Sequence, residues 1–142
     1  MQKNSTLLMV VAAAFVASDG HILMHRRNRN SVHGGLWEFP GGKIEKAESP
    51  ETALVREINE ELGVAVELRD LAPVAFASGE TAGPDARAPL VILLYTCRKW
   101  SGNPRCLEGE EIAWFAPEEL AELDMPPLDY PLAAQLVRYL SS

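Results

Sequence analysis

The chain has 142 residues, a length that suits one compact domain and leaves little room for a second. With 47% hydrophobic and 23% charged residues it can bury a real core, which argues against a disordered, collagen-like or disulfide-stapled chain. Its 13 Lys+Arg against 20 Asp+Glu leave a net charge of -7. That argues against a broad nucleic-acid or anionic-membrane surface, but not against a phosphate-bearing substrate met by a local basic cluster or a bound metal.

Residues 6–16 (TLLMVVAAAFV) predict a buried strand. The apolar run is about half the length needed to cross a bilayer. A single Lys ahead of it, with Asp19 and Gly20 behind, disfavours a signal peptide. The expected compartment is the cytoplasm, in keeping with two cysteines, Cys97 and Cys106, that lack CxxC spacing and read as reduced thiols. Ser18-Asp19-Gly20 is a turn into a second strand at 21–25, so an N-terminal hairpin is expected. The basic stretch Arg26-Arg27-Asn28-Arg29-Asn30 follows, then short strand pieces over 36–44 around a Pro-Gly-Gly bend. A helix is predicted over 50–62, with Ser49 as N-cap, Pro50 at its first position, Glu51 in its first turn and Gly63 ending it left-handed. Strand-like runs at 64–78 and 88–100 flank an exposed loop, ETAGPDARAP. A last strand at 112–115, a short helix at 117–123 and a terminal helix at 131–140 complete one mixed α/β domain over 1–142.

Within helix 50–62, Glu57, Glu60 and Glu61 stand at i, i+3 and i+4 and share one sector, beside the apolar sector of Leu54, Val55, Ile58 and Leu62. Three carboxylates so close repel one another, by a few tenths of a kcal/mol for each i,i+4 pair. A hard divalent cation with oxygen ligands, Mg²⁺ above all, offsets that repulsion; a solvated acidic face is the other reading of the triplet alone.

The surroundings of the triplet narrow the choice. From Gly42 the chain runs GKIEKAESPETALVREINEELGV. This resembles the Nudix box, Gly-x5-Glu-x7-Arg-Glu-U-x-Glu-Glu-x-Gly-U with U a bulky aliphatic. Gly42, Glu48, Arg56, Glu57, Ile58, Glu60, Glu61, Gly63 and Val64 fill its defined positions. The run LWEFPGGK at 36–43, the pair Arg26-Arg27, the RKWSGNP at 98–104 followed by Glu108-Gly109, and MPPLD at 125–129 resemble further landmarks of the MutT-like branch. The likeness covers about residues 6 to 140.

The resemblance implies a Nudix fold, a mixed β-sheet sandwiched between helices. It also implies Mg²⁺-dependent hydrolysis of a (deoxy)nucleoside triphosphate to monophosphate and pyrophosphate, with Mn²⁺ as a substitute. Carried over by position, Glu57, Glu60 and Glu61 hold the metal, with the Gly41 carbonyl and the loop residue Glu108 as further ligands. Glu57 is the first candidate to activate water, with Glu60 also in the catalytic set. Arg56 either pairs with Glu60 one turn on or, by resemblance, pins the loop through Glu48. Arg27, Glu38, Phe39, Pro40, Gly41 and Asp129 are placed against the substrate, Arg27 on its phosphates. Trp37 and Phe39 either pack in the core or flank a base, and the three histidines carry no assigned role.

Asp129 stands where the best-known MutT-like pattern has Asn. An ionised Asp only accepts hydrogen bonds, so giving one to O6 of a guanine needs a protonated carboxyl and a raised pKa. The residue serves either as a base contact or as a helix N-cap. The loop 79–89 has no aromatic residue to stack on a base. The expected activity is hydrolysis of 8-oxo-dGTP in nucleotide-pool sanitation. The alternatives are a cytidine-type or broad-specificity pyrophosphohydrolase and a catalytically silent nucleotide-binding regulator. Neither a nucleic-acid nor a membrane partner is expected, and the chain is expected to be a monomer or weak dimer.

Overall fold

A computed structural model describes residues 7–81 and 88–142. Its framework is strand β1 (Leu8–Phe15), which is apolar at every position and can therefore be covered on both faces. β1 pairs in parallel with β6 (Pro89–Cys97), Val10 opposite Ile92, and antiparallel with the short β4 (Gly41–Lys43). β5 (Leu71–Glu80) closes the four-stranded mixed sheet, in the order β4-β1-β6-β5. A second sheet, wholly antiparallel, has the order β3-β2-β7, from Trp37–Glu38, Ile22–Arg26 and Glu111–Phe115.

Two helices cover the faces. Val11, Ala13 and Phe15 point to α1 (Pro50–Leu62), whose Leu54, Ile58 and Leu62 are fully buried. Ala12, Ala14 and Val16 point the other way, to α2 (Asp129–Leu140), which buries Leu132, Ala133 and Leu136. Each such large side chain removed from water contributes about 1.5–3 kcal/mol, so the period-two pattern of β1 and the helical stripe of α1 together fix how α1 is turned. Ile58 and Leu62 inward leave Glu57 and Glu60 outward, while Glu61, bordering the core stripe, is only 8% exposed. The ends of α1 are as expected. Ser49 Oγ accepts the Thr52 N–H, and Gly63 (φ 70°) returns its N–H to Asn59.

Several elements differ from the sequence reading. β1 and β2 do not form a hairpin: only the bridge Val16–Ile22 and the Ala17 N–H to His21 carbonyl bond join them, and the strands then diverge into different sheets. Burying β1 on both faces beside β6 is worth more than a local turn, and that pairing is long-range. In 64–78 the strand starts only at Leu71, after a bridge from Ala65 to Ser101 and a 3-10 turn at Leu68–Asp70. The strand expected at 88–100 ends at Cys97. The short helix is a 3-10 turn at Pro117–Glu122, and α2 starts two residues ahead of Pro131. Much of the 79–89 loop lies outside the described residues. Cys97 is buried and Cys106 exposed, both as free thiols. No helix among the described residues is long and apolar enough to cross a membrane.

Candidate active site

The outward face of α1 meets the β3–β4 strap, and Arg56 joins them. Its Nε and Nη2 donate to Glu48 at 2.7 and 3.0 Å, Nη2 also to the Lys43 carbonyl at 3.1 Å, and Nη1 to Glu57 at 3.2 Å and Glu60 at 3.3 Å. Both pairings open in the sequence, with Glu48 and with Glu60, are made at once. A guanidinium has enough donors for this, in a planar fork that a Lys cannot copy. The hydrogen bond from Arg56 and the N–H of Glu45 hold the Glu48 carboxyl below its ordinary range.

The glycines at the strap act by close approach. A Cβ on Gly41 would run into the Val11 carbonyl, and one on Gly42 would collide with the Glu57 carboxyl group. Gly41 donates its N–H to Glu61 Oε1 at 3.1 Å. Burial, then the charges of Glu57 and Glu38, push Glu61 up to about 8, against the Gly41 N–H, with Glu108 adding to the rise. Burial likewise raises Glu57, against its bond to Arg56, with Glu60 and Glu108 adding repulsion. The Glu108 carboxylate thus lies in the field of the same cluster, although the residue itself is exposed.

Among the described residues no three His, Cys, Asp or Glu side chains are drawn together as a closed cation cage. Glu57 and Glu60 turn to Arg56, and Glu61 turns to Gly41, which is how like charges arrange themselves when they have cationic or N–H partners nearby. The donor set nonetheless suits a hard cation: every side-chain donor is a carboxylate oxygen, the cluster raises its own proton affinity, and Gly42, with no Cβ, lets the strap backbone lie close to the Glu57 carboxyl.

From Glu57 and Glu61 a groove of about 290 Å³ runs past Gly41, Arg27 and Glu38 to Asp129. Beyond Asp129 it opens into a cleft of about 550 Å³ walled by Leu128, Gly79, Leu90, Ile92, Val32 and His33. Arg27 stands between the two ends. It donates through Nη1 to both Glu38 oxygens, at 3.0 and 3.1 Å, and through Nε to the Val32 carbonyl at 2.8 Å. Burial nevertheless raises Glu38, because it outweighs the Arg27 charge.

Asp129 is 5% exposed and accepts the Phe39 N–H on Oδ2 at 3.2 Å. Burial and the Glu38 charge push its carboxyl up to about 7, against the Phe39 N–H and Arg27. The N-cap reading is overturned: α2 starts at Asp129 itself, Leu128 precedes it in helical conformation without a side-chain cap, and the carboxylate turns to Phe39. Of the two ways to read the aromatics, core packing holds for both. The Phe39 ring is 4% exposed in the α2-side core, so Phe39 reaches the groove by its backbone, and Trp37 packs edge-on to Phe115. Pro40 does not line the groove; its carbonyl is taken by the Ala13 N–H at 2.8 Å.

Two side chains that the sequence reading left without a role lie at the site. Lys43 lines both parts of the groove, and His33 lines the wider cleft in a left-handed backbone (φ 60°). A period of two from Gly41, which lines the groove, places Lys43 on the same face of β4.

Residues 7–136 match the family model of the NUDIX domain. The chain is similar to the CTP pyrophosphohydrolase of Escherichia coli, 35% identical over 127 residues covering 88% of each chain. It is also similar to the 8-oxo-dGTP diphosphatase of the same organism, 31% identical over 131 residues covering 92% of this chain and 97% of that one. The crystal structure of a MutT NUDIX hydrolase from Burkholderia pseudomallei superposes with a TM-score of 0.74 at 32% identity, over 92% of this chain and 98% of that one.

Proposed function

The chain belongs to the Nudix family of hydrolases, and from that premise we propose that it is a MutT-like pyrophosphohydrolase, cleaving a (deoxy)nucleoside triphosphate to monophosphate and pyrophosphate. Its substrate on this reading is 8-oxo-dGTP, removed from the cytoplasmic nucleotide pool before it enters DNA. The observation that carries the reading is a groove lined by Glu57 and Glu61 that shares Arg27, Glu38, Lys43 and the buried Asp129 with the wider cleft beside it. Such a groove matches a molecule with phosphates at one end and a base at the other. The acidic surface elsewhere is consistent with a small nucleotide rather than a nucleic acid, and with a monomer or weak dimer.

Family members work with divalent cations, and here Mg²⁺ is the proposed one, with Mn²⁺ able to replace it. Glu57, Glu60 and Glu61, with the Gly41 carbonyl and Glu108, would hold it. When bound, it neutralises phosphate oxygens and lowers the cost of generating a hydroxide nucleophile. Glu57 takes the proton of the attacking water through the carboxylate oxygen that Arg56 does not engage. A new P–O bond forms, the bridging P–O bond to the leaving phosphate breaks, and Arg27 and Lys43 balance the charge of the chain being cleaved. Arg56 and Glu48 do not touch substrate on this reading; they keep the strap and Glu57 in register.

Asp129 carries the base preference. With Phe39 N–H on Oδ2, its carboxyl offers a second oxygen to the ligand. A carboxyl pushed up to about 7 is substantially protonated near neutrality, so it can donate and accept as an amide does, and so meet both O6 and N1–H of an oxidised guanine. The same residue supports a second reading. Once ionised, Asp129 only accepts, which suits the 4-amino group of cytosine and a cytidine-type or broad specificity. A panel of 8-oxo-dGTP, dGTP, CTP and dCTP ranked by kcat/KM separates them. An advantage for 8-oxo-dGTP supports the sanitation reading, and no advantage over dGTP or the pyrimidines refutes it.

A further inference from the structure

His25 is buried (5% exposed) at the end of β2, on the strand face it shares with the α1-side core residue Leu23. Its ring faces two acidic residues. Nε2 lies 2.6 Å from the carbonyl of Glu108, and since a carbonyl only accepts, Nε2 carries the hydrogen. Nδ1 has no hydrogen-bond partner among the described residues and lies 4.0 Å from Glu38 Oε2. Gly109 packs close against the ring: it has φ 86°, and a Cβ there would collide with His25 Nε2 and the Arg26 carbonyl. On its other side the same segment is tied to the end of α1, by Leu107 N–H to the Glu61 carbonyl and Arg105 N–H to the Leu62 carbonyl, each 2.9 Å.

We propose that His25 is a positioning residue, a strut from β2 that holds the Glu108–Gly109 segment in place so that the Glu108 carboxylate joins Glu57 and Glu61. The inference rests on the reading of those glutamates as a cation site. Among the described residues, backbone bonds tie this segment to the end of α1 before Glu108 and to β2 after it, with Arg29 paired to Glu110 at the exposed surface. Among the described residues, the imidazole is the one side chain from β2 that bonds to the Glu108 backbone, the Cys106 thiol contacting the same oxygen from within the segment. Without it, Glu110 N–H to the Arg26 carbonyl is the next restraint, two residues beyond. A residue that orients a ligand in this way typically changes metal affinity or turnover by 10–100-fold when removed.

The test compares wild type, His25→Leu, His25→Gln, Gly109→Ala, Glu108→Gln and the double variant His25→Leu/Glu108→Gln. Three quantities are read: hydrogen exchange over 105–110 without metal, Mn²⁺ affinity without substrate, and kcat and KM. The strut predicts faster exchange over 105–110 in His25→Leu and Gly109→Ala. It also predicts Mn²⁺ affinity and kcat lower by roughly tenfold with KM within about threefold, and a double variant no worse than Glu108→Gln alone. His25→Gln, whose amide can reach the same carbonyl, recovers most of the loss. Unchanged exchange in His25→Leu, or losses that multiply in the double variant, overturns the proposal. A wild type that neither binds Mn²⁺ nor turns over nucleotide would instead refute the cation-site reading, and the exchange measurement would still decide whether His25 holds the segment.

Discussion

Arg56 and Glu48, eight residues apart and on opposite sides of the helix start, meet through two hydrogen bonds of 2.7 and 3.0 Å. The pair closes the loop that carries Glu48 onto the helix that carries Glu57, and the same guanidinium also touches Glu57 and Glu60. Arg56→Lys keeps the charge but loses the fork. It should lower kcat by about 10–100-fold with a small change in KM. Steady-state kinetics checks this, with circular dichroism to confirm that the fold is kept.

Gly42 has ordinary backbone geometry but no room for a side chain, because its Cβ would displace the Glu57 carboxyl group. Gly42→Ala should therefore fold normally and lose at least about tenfold in kcat, the expected scale when a ligand is pushed out of place. A kcat within twofold of wild type would show that Glu57 can move aside without consequence.

Burial and the Glu38 charge push the Asp129 carboxyl up to about 7 in the folded chain, from an ordinary value near 3.8. The folded state then binds its proton more tightly than the unfolded state does. This residue's contribution is at its most favourable below pH 3.8, declines as pH rises, and is fully lost above about 7. Asp129→Asn removes that contribution. The difference in thermal midpoint, Asn variant minus wild type, should rise steadily between about pH 4 and 7 and level off beyond. Taking the difference cancels the slope from Glu61 and Glu57, whose raised values act with the same sign.

Lys43 lines both parts of the groove and is exposed, and on the proposed function its charge acts on the bound phosphates rather than on folding. Lys43→Ala should raise KM severalfold with kcat within about twofold, and the effect should shrink at high salt as the Debye length falls to about 3 Å at 1 M. Kinetics at two ionic strengths checks it.

How much of this could be read from the sequence follows from the range of each interaction. Helix 50–62 and its glutamate face were legible to the residue, because caps and the i, i+3, i+4 spacing are local. The Glu48–Arg56 pair was legible only through the family pattern, since nothing in its spacing distinguishes it from Glu60–Arg56. The β1–β6 pairing joins segments about 80 residues apart, and no local pattern announces it, which is why the local turn at Ser18-Asp19-Gly20 suggested a hairpin instead. For Asp129 the sequence leaves a base contact and a helix N-cap both open, and the fold removes the N-cap. Its raised pKa depends on burial and on the charge of Glu38, about ninety residues away, which outweigh the Phe39 N–H and Arg27, and so is visible only in the fold. His25 was missed for the same reason: its partner, Glu108, is 83 residues along the chain.

The measurement that tests the account most directly is pyrophosphate release from 8-oxo-dGTP by wild type and Glu57→Gln side by side in Mg²⁺. The account predicts monophosphate and pyrophosphate as products of the wild type. It also predicts a fall of at least about 100-fold in kcat for the variant, the order expected for loss of a general base, with nucleotide binding retained. Turnover in Glu57→Gln within twofold of wild type, or a wild type that binds nucleotide and releases no pyrophosphate, would contradict it.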